Sequence, residues 1–147
     1  MTNSNNRVSD LVHVRVSDCM HHGILSCPPD APLAQVAAII AGRGVHAVVV
    51  TDDHRGRPVG VVSDLDVVAA AVGGSDLTAR QIAATEPLSV SSDESLHRAA
   101  QVMAEHRVAH LIVVDAAGGY PVGVLAASDI AAVSAGAPSE ASGGEIR

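Results

Sequence analysis

The feature that most constrains this chain is that it repeats itself. Shifted by 63 residues without a gap, Leu25-Ser26 falls on Leu88-Ser89, Asp30 on Asp93 and Leu33 on Leu96. Ala37 then meets Ala100, Val45 meets Val108, Val50 meets Val113 and Asp52 meets Asp115. Gly56 meets Gly119, Pro58-Val59-Gly60-Val61 meets Pro121-Val122-Gly123-Val124, and Asp66 meets Asp129. A gapless register of this length marks a duplicated unit, so the chain has to fold as two similar halves.

Each half reads in the same order. A short extended piece comes first, Ile24 to Cys27 or Leu88 to Val90. Asp30 and Asp93 are positioned as helix N-caps, with Pro32 tolerated in a first turn. Leu33, Val36, Ala37 and Ile40 then form an apolar stripe at helical spacing, repeated by Leu96, Ala99, Ala100 and Met103. Gly42 and Gly44 are placed to end the first of these helices, whereas Glu105 to Arg107 predicts a different ending for the second. A β-branched run follows (Ala47 to Thr51; Leu111 to Val114), then a glycine-bearing turn. A second strand, Pro58 to Val62 or Pro121 to Leu125, completes a hairpin. Helices over Asp64 to Val72 and Ser128 to Val133 close the halves.

The order is strand, helix, strand, strand, helix, twice, which is an α/β (α+β) fold. The strands are apolar on both faces, so helices covering one face leave the other to be buried. The simplest solution packs sheet against sheet about a pseudo-twofold axis, with clefts between the halves. The expected organisation is a disordered N-terminal arm over 1–10, a first domain over 11–72 and a linker over 73–78. A second domain over 79–134 and a disordered tail over 135–147 follow.

Where each half passes from its last strand into its closing helix, the two copies differ. The first reads Gly60-Val61-Val62-Ser63-Asp64-Leu65-Asp66; the second reads Gly123-Val124-Leu125-Ala126-Ala127-Ser128-Asp129. Ser63 and Asp66 sit three apart in a first helical turn, the spacing of a capping box. The same hydroxyl, carboxylate and free amides can also hold a phosphate and a sugar diol. The two roles are compatible.

Composition excludes several functions. Only 1% of residues are aromatic, one Tyr with no Phe or Trp, so no base-stacking platform exists. Net charge is −7 and the nine cationic residues are scattered arginines, against a nucleic-acid or anionic-membrane partner. No stretch approaches the roughly 20 apolar residues of a membrane span, and the polar start MTNSNN is no signal peptide. These features predict a cytoplasmic protein with reduced Cys19 and Cys27. Cys19, His21, His22 and Cys27 cluster, but their spacing fits no common zinc pattern, and no metal site is assigned. No nucleophile elbow or paired base is visible, and the chain is expected not to be an enzyme.

The ordered pieces together resemble a tandem pair of CBS domains, the modules named after cystathionine β-synthase. The resemblance covers about residues 15–134. It rests on the repeat order, on Val16-x-Asp18-x-Met20 and on Pro29-Asp30-x-x-Leu33. It rests further on Val45-His46-Ala47-Val48-Val49-Val50 with Asp52, on Val108-Ala109-His110-Leu111-Ile112-Val113-Val114-Asp115, and on the two Gly-to-Asp endings. It implies a stand-alone regulatory module that binds an adenosine-containing ligand (AMP, ADP, ATP or S-adenosylmethionine) and passes the signal to a separate partner protein. No obligatory cofactor is implied.

Carried over by the resemblance, Asp66 grips the ribose hydroxyls and Ser63 meets the phosphate. Val45, His46 and Val61 line that first site, with Leu88, Val108 and Ala109 from the other copy. A second site would use Asp129, with Leu25, Val45, His46, Ala109, His110 and Val124. There Ala126 replaces the hydroxyl residue, and losing one such bond costs about 1.5–3 kcal/mol, so the second site is expected to be weaker. Few cations lie near either site, which argues against a strong triphosphate site; Arg43 and Arg107 read as helix-end charges. The rival reading is a homodimeric interaction module that binds nothing small. Val67, Val68, Ala70 and Ala71 with Ile130, Ala131 and Val133 would form its self-complementary face.

Overall fold

The structure, a computed structural model, describes residues 10–52, 56–74, 76–83 and 87–136. The arm expected over 1–10 and the tail expected over 135–147 fall almost wholly outside these residues. In chain order a 3-10 turn, Val16–Asp18, is followed by β1 (His21–His22), β2 (Ser26–Cys27), α1 (Leu33–Arg43), β3 (Ala47–Thr51) and β4 (Pro58–Ser63). Then come α2 (Asp64–Gly73), α3 (Ala79–Ile82), β5 (Ser89–Ser91), α4 (Leu96–His106), β6 (His110–Val114), β7 (Pro121–Ala126) and α5 (Ala127–Ser134). The strand-helix-strand-strand-helix order anticipated from the repeat is present in both copies. The turn at Val16–Asp18, β1 and α3 are additional. Elements of two to four residues are too short to carry a hydrophobic period.

The chain divides into two compact units. Among the described residues, one contains those from Ile24 to Pro87; the other joins those from Asp10 to Gly23 to those from Leu88 to Gly136. In the first, β2 runs parallel to β3 and β3 antiparallel to β4. Val48, Val50 and Val62 point to one face, where Cys27, Val36, Ala70, Ala79 and Ile82 complete a buried cluster. Valine dominates because β-branched side chains suit a pleated surface and the chain has almost no aromatics to spend there.

The other unit has four strands in the order β1-β7-β6-β5, where three were expected. β1 adds antiparallel to β7, with His21 opposite Val124 and His22 opposite Gly123. Leu111, Val113 and Leu125 are fully buried beneath Leu96, Ala99, Met103 and Ile130, with Val16, Cys19 and Met20 supplied by the incoming segment. Residues 11–23 thus precede the first copy in sequence but complete the core of the second.

Backbone bonds repeat at the 63-residue spacing, including those of these leading segments. Val16 N–H donates to the Glu94 carbonyl and Ala79 N–H to that of Ala31. Leu96 N–H donates to Val14 and Leu33 N–H to Leu77. The second of these bonds explains a departure from expectation at the helix starts. The N-cap residues are Pro32 and Ser95, not Asp30 and Asp93. Ser95 Oγ accepts from Arg98 N–H at 3.1 Å, while Asp93 Oδ1 takes the Ser91 hydroxyl at 2.6 Å. Pro32 offers no side-chain acceptor, and the exposed first amide of α1 is satisfied by the Leu77 carbonyl instead.

The helix ends are alike where a difference was expected. Gly44 ends α1 in the left-handed region, and Arg107 adopts the same conformation after α4, at φ 54°. Arg107 is the only non-glycine residue with positive φ among the described residues, and its amide closes the helix on the Met103 carbonyl.

Gly123 shows why β1 can join the sheet. A Cβ added there would overlap the His21 carbonyl oxygen and come within 3.2 Å of Met20 Sδ. Gly123→Ala is therefore expected to displace β1 and lower stability by about 1–3 kcal/mol, read from urea unfolding midpoints. An unchanged midpoint would mean that β1 is not held against Gly123.

Candidate functional site

Both closing helices start directly from a strand end, and the hairpin register sets where. In the first copy Ala47 pairs with Ser63, and Asp64 N–H donates to the His46 carbonyl at 2.9 Å. In the second, His110 pairs with Ala126 and Ala127 N–H donates to the Ala109 carbonyl at 2.8 Å. The strand ladder thus holds the first helical residue, and the next turn delivers Asp66 or Asp129 back over the strand end.

Ser63 and Asp66 form a reciprocal capping box. Ser63 Oγ accepts from Asp66 N–H at 3.2 Å, and Asp66 Oδ2 accepts from Ser63 N–H at 2.8 Å. Among the described residues only one carboxylate oxygen is used, and no donor reaches Oδ1 of Asp66. Both side chains are half-buried. A half-buried carboxylate with an unclaimed oxygen, beside a hydroxyl and a helix N-terminus, is a strong acceptor for hydroxyl donors.

The second copy keeps half of this arrangement and adds a new partner. Asp129 Oδ2 accepts from Ala126 N–H at 2.9 Å, but Ala126 has no hydroxyl to return. Asp129 Oδ1 lies 3.2 Å from His21 Nε2. The Asp129 side chain is 17% exposed and that of His21 33%. The hydrogen bond to Asp129 raises the His21 pKa above its ordinary 6.5, with a further rise from the carboxylate charge, against partial burial that lowers it. Nothing in the sequence connects these residues. His21 is 108 positions from Asp129, and only the unforeseen pairing of β1 with β7 brings them together.

The other residues named from the resemblance fall in both units. Leu25, Val45, His46 and Val61 belong to the unit that holds Ser63 and Asp66; Leu88, Val108, Ala109, His110 and Val124 belong to the unit that holds Asp129. Val45 and Val61 are buried, at 8% and 5% exposure, and Val45 packs within the cluster beneath its own helices. Leu25, Leu88 and Val108 are half-buried against the respective cores. His46 is exposed, and its Nδ1 meets Asp64 Oδ2 at 3.1 Å with both side chains more than half exposed. Such a surface pair contributes little to stability. Cys19 and Cys27 are both buried, in different units.

Two outcomes follow from these contacts. Ser63→Ala should lower stability by about 1 kcal/mol and Ala126→Ser should raise it by a similar amount, measured by urea unfolding. No change in either variant would show that the hydroxyl does not cap. A second outcome concerns pH. Because the folded-state pKa of His21 is raised, its pair with Asp129 stabilises fully below pH about 6.5 and is lost as pH rises through the higher folded value. The difference in midpoint between the wild-type protein and His21→Gln should therefore be largest near pH 5.5 and shrink towards about pH 8.5. A difference constant across that range would rule out the charged pair.

The model of the family described as "CBS domain" matches residues 16–73 and again 79–136. No curated protein sequence matches the chain. Among solved structures, the CBS domain protein PAE2072 from Pyrobaculum aerophilum, complexed with AMP, is 34% identical, with 79% of this chain and 89% of that one covered and a TM-score of 0.71. The CBS domain pair of protein MJ0100, in complex with 5′-methylthioadenosine and S-adenosyl-L-methionine, is 20% identical over 84% of this chain and 97% of that one, at a TM-score of 0.74. The CBS domain of a bacterial CNNM/CorC family Mg2+ transporter in complex with ATP is 20% identical over 91% and 96%, at 0.73. The latter two likenesses carry the fold alone. With its repeat, its two strand-to-helix endings and both family matches in agreement, this chain belongs to the CBS domain family and carries two of these domains in tandem.

Proposed function

We propose that the protein is a regulatory binding module that senses an adenosine-containing ligand and passes the signal to a separate protein. Ser63 and Asp66 form the principal grip. The single observation that carries this reading is the Oδ1 of Asp66, unclaimed among the described residues, beside the Ser63 hydroxyl and held in place by the cap. A ribose supplies two adjacent hydroxyl donors, which match a carboxylate with one oxygen to spare. The 34%-identical relative complexed with AMP supports the same ligand class. Signalling would follow from differential affinity: a ligand that binds one conformation better shifts the population towards it.

The rival reading, self-association, also has an observation in its favour. On α2, Leu65, Val68 and Val72 are 72%, 57% and 84% exposed, an apolar stripe at helical spacing. This stripe differs from the face named from sequence. Ala70 and Ile130 are buried in their own cores, and Val67 and Val133 pack against them. Exposed positions of that face are Val68, Ala71 and Ala131.

Thermal unfolding with and without AMP, ADP, ATP, adenosine and S-adenosylmethionine separates the readings. A ligand at 100 times its dissociation constant adds about 2.7 kcal/mol, a shift of several degrees in a protein of this size. The expected shift vanishes in Asp66→Ala and survives in Asp129→Ala. Flat curves for all five ligands, from a folded dimer, would sink the sensor and leave an assembly module.

A further inference from the structure

The two aspartates at equivalent positions are not in equivalent states, and the difference lies in a residue outside either strand-to-helix motif. A carboxylate has about four acceptor positions on two oxygens. In Asp66 one oxygen carries the cap bond and the other is unclaimed by any described residue. In Asp129 one oxygen carries the cap bond and the other carries His21. The 63-residue shift puts Ala84 in sequence register with His21, and alanine has no side-chain hydrogen-bond donor. His21 is also firmly seated. It lies in β1 opposite Val124, and its carbonyl packs against Gly123, where no Cβ intervenes.

We propose that His21 is a built-in competitor for the second copy's aspartate, occupying the carboxylate oxygen that a ribose diol would use and closing that site to adenosine ligands. This inference rests on the ligand reading above and adds to it a cause for unequal sites distinct from the missing hydroxyl at Ala126. With His21 in place, each hydroxyl of a diol must share an oxygen with a protein donor. Protonated His21 also cancels the charge that makes the carboxylate a strong acceptor.

Among the described residues, the ionisable surroundings of His21 leave Asp129 as its counter-charge. β1 pairs with β7 alone, and Pro121–Ala126 carries no ionisable side chain. In α5 the one ionisable group is Asp129. Before β1, Asp18 Oδ2 accepts from the Arg15 amide and Cys19 is buried. His22 is exposed, and His110 on β6 stands opposite Ala126. The raised pKa of His21 agrees with this pairing. Opening should therefore increase as pH rises through the His21 titration.

The test is calorimetric titration with AMP at about pH 6 and about pH 8.5, bracketing the imidazole range. Wild-type protein should bind one AMP per chain at the lower pH, and Asp66→Ala none. The double variant Asp66→Ala/His21→Ala should regain one AMP per chain, lost again when Asp129→Ala is added. If His21→Ala binds one AMP but the double variant binds none, the competitor role is overturned while the Asp66 site stands. If no protein binds AMP, wild type included, the ligand reading falls and takes this inference with it. NMR titration of the His21 imidazole in the wild-type protein keeps the proposal testable should His21→Ala fail to fold. Its midpoint should drop in Asp129→Asn; an unchanged midpoint would overturn the pairing.

Discussion

Each half of this protein depends on one bond: the amide that ends the hairpin donates to an aspartate three residues into the helix that follows. Ser63 N–H to Asp66 and Ala126 N–H to Asp129 each end a strand and start a helix in a single step. The bond answers a local need, since the first amides of a helix have no partner within it. It also fixes where the carboxylate points. In the proposed reading a structural cap and a binding group are therefore the same atoms, and a change that weakens the cap also moves the carboxylate. The bland reading of Ser63-x-x-Asp66 as a capping box is correct, and it is what makes the other reading physically reasonable.

Much of the architecture was legible because the repeat tests every assignment twice. The stripe at Leu33, Val36 and Ile40 and the run at Val48 to Val50 are each confirmed by a partner 63 residues on, so helix and strand periods were not confused. The failures have a common origin in backbone partners far away in sequence. Asp30 was a sound candidate cap by residue type, but the carbonyl of Leu77 supplies the acceptor that α1 needs. Arg107 gave no sign of a left-handed ending, because arginine is normally excluded there by its Cβ. The link between His21 and Asp129 was invisible for the same reason. It depends on a two-residue strand whose sequence, His21-His22, has neither periodicity nor β-branched residues.

Duplication gives two equal copies, and the interest lies in how these have drifted apart. The scaffold bonds have been kept almost one for one, down to the turn where Gly56 and Gly119 donate to Asp52 and Asp115. What has changed is side-chain chemistry around one carboxylate: a hydroxyl lost at Ala126 and an imidazole present at His21. Neither change disturbs the hairpin or the helix start. Two carboxylates on nearly identical frames thereby differ in their partners without a difference in fold.

The placement of residues 11–23 in the core built by the second copy also bears on how the chain becomes folded as it is made. β1 has its sheet partner in β7, with His21 against Val124 across 103 residues. At synthesis rates of roughly 5–20 residues per second, the segment emerges about 5–20 s before its docking site exists. Val16, Cys19 and Met20 remain without their native neighbours throughout that interval. The intervening unit, Ile24 to Pro87, makes its sheet from strands close in sequence and is complete earlier. Assembly on the ribosome thus runs from the middle outwards, and the segment 11–23, though made before either copy, is among the last to find its place.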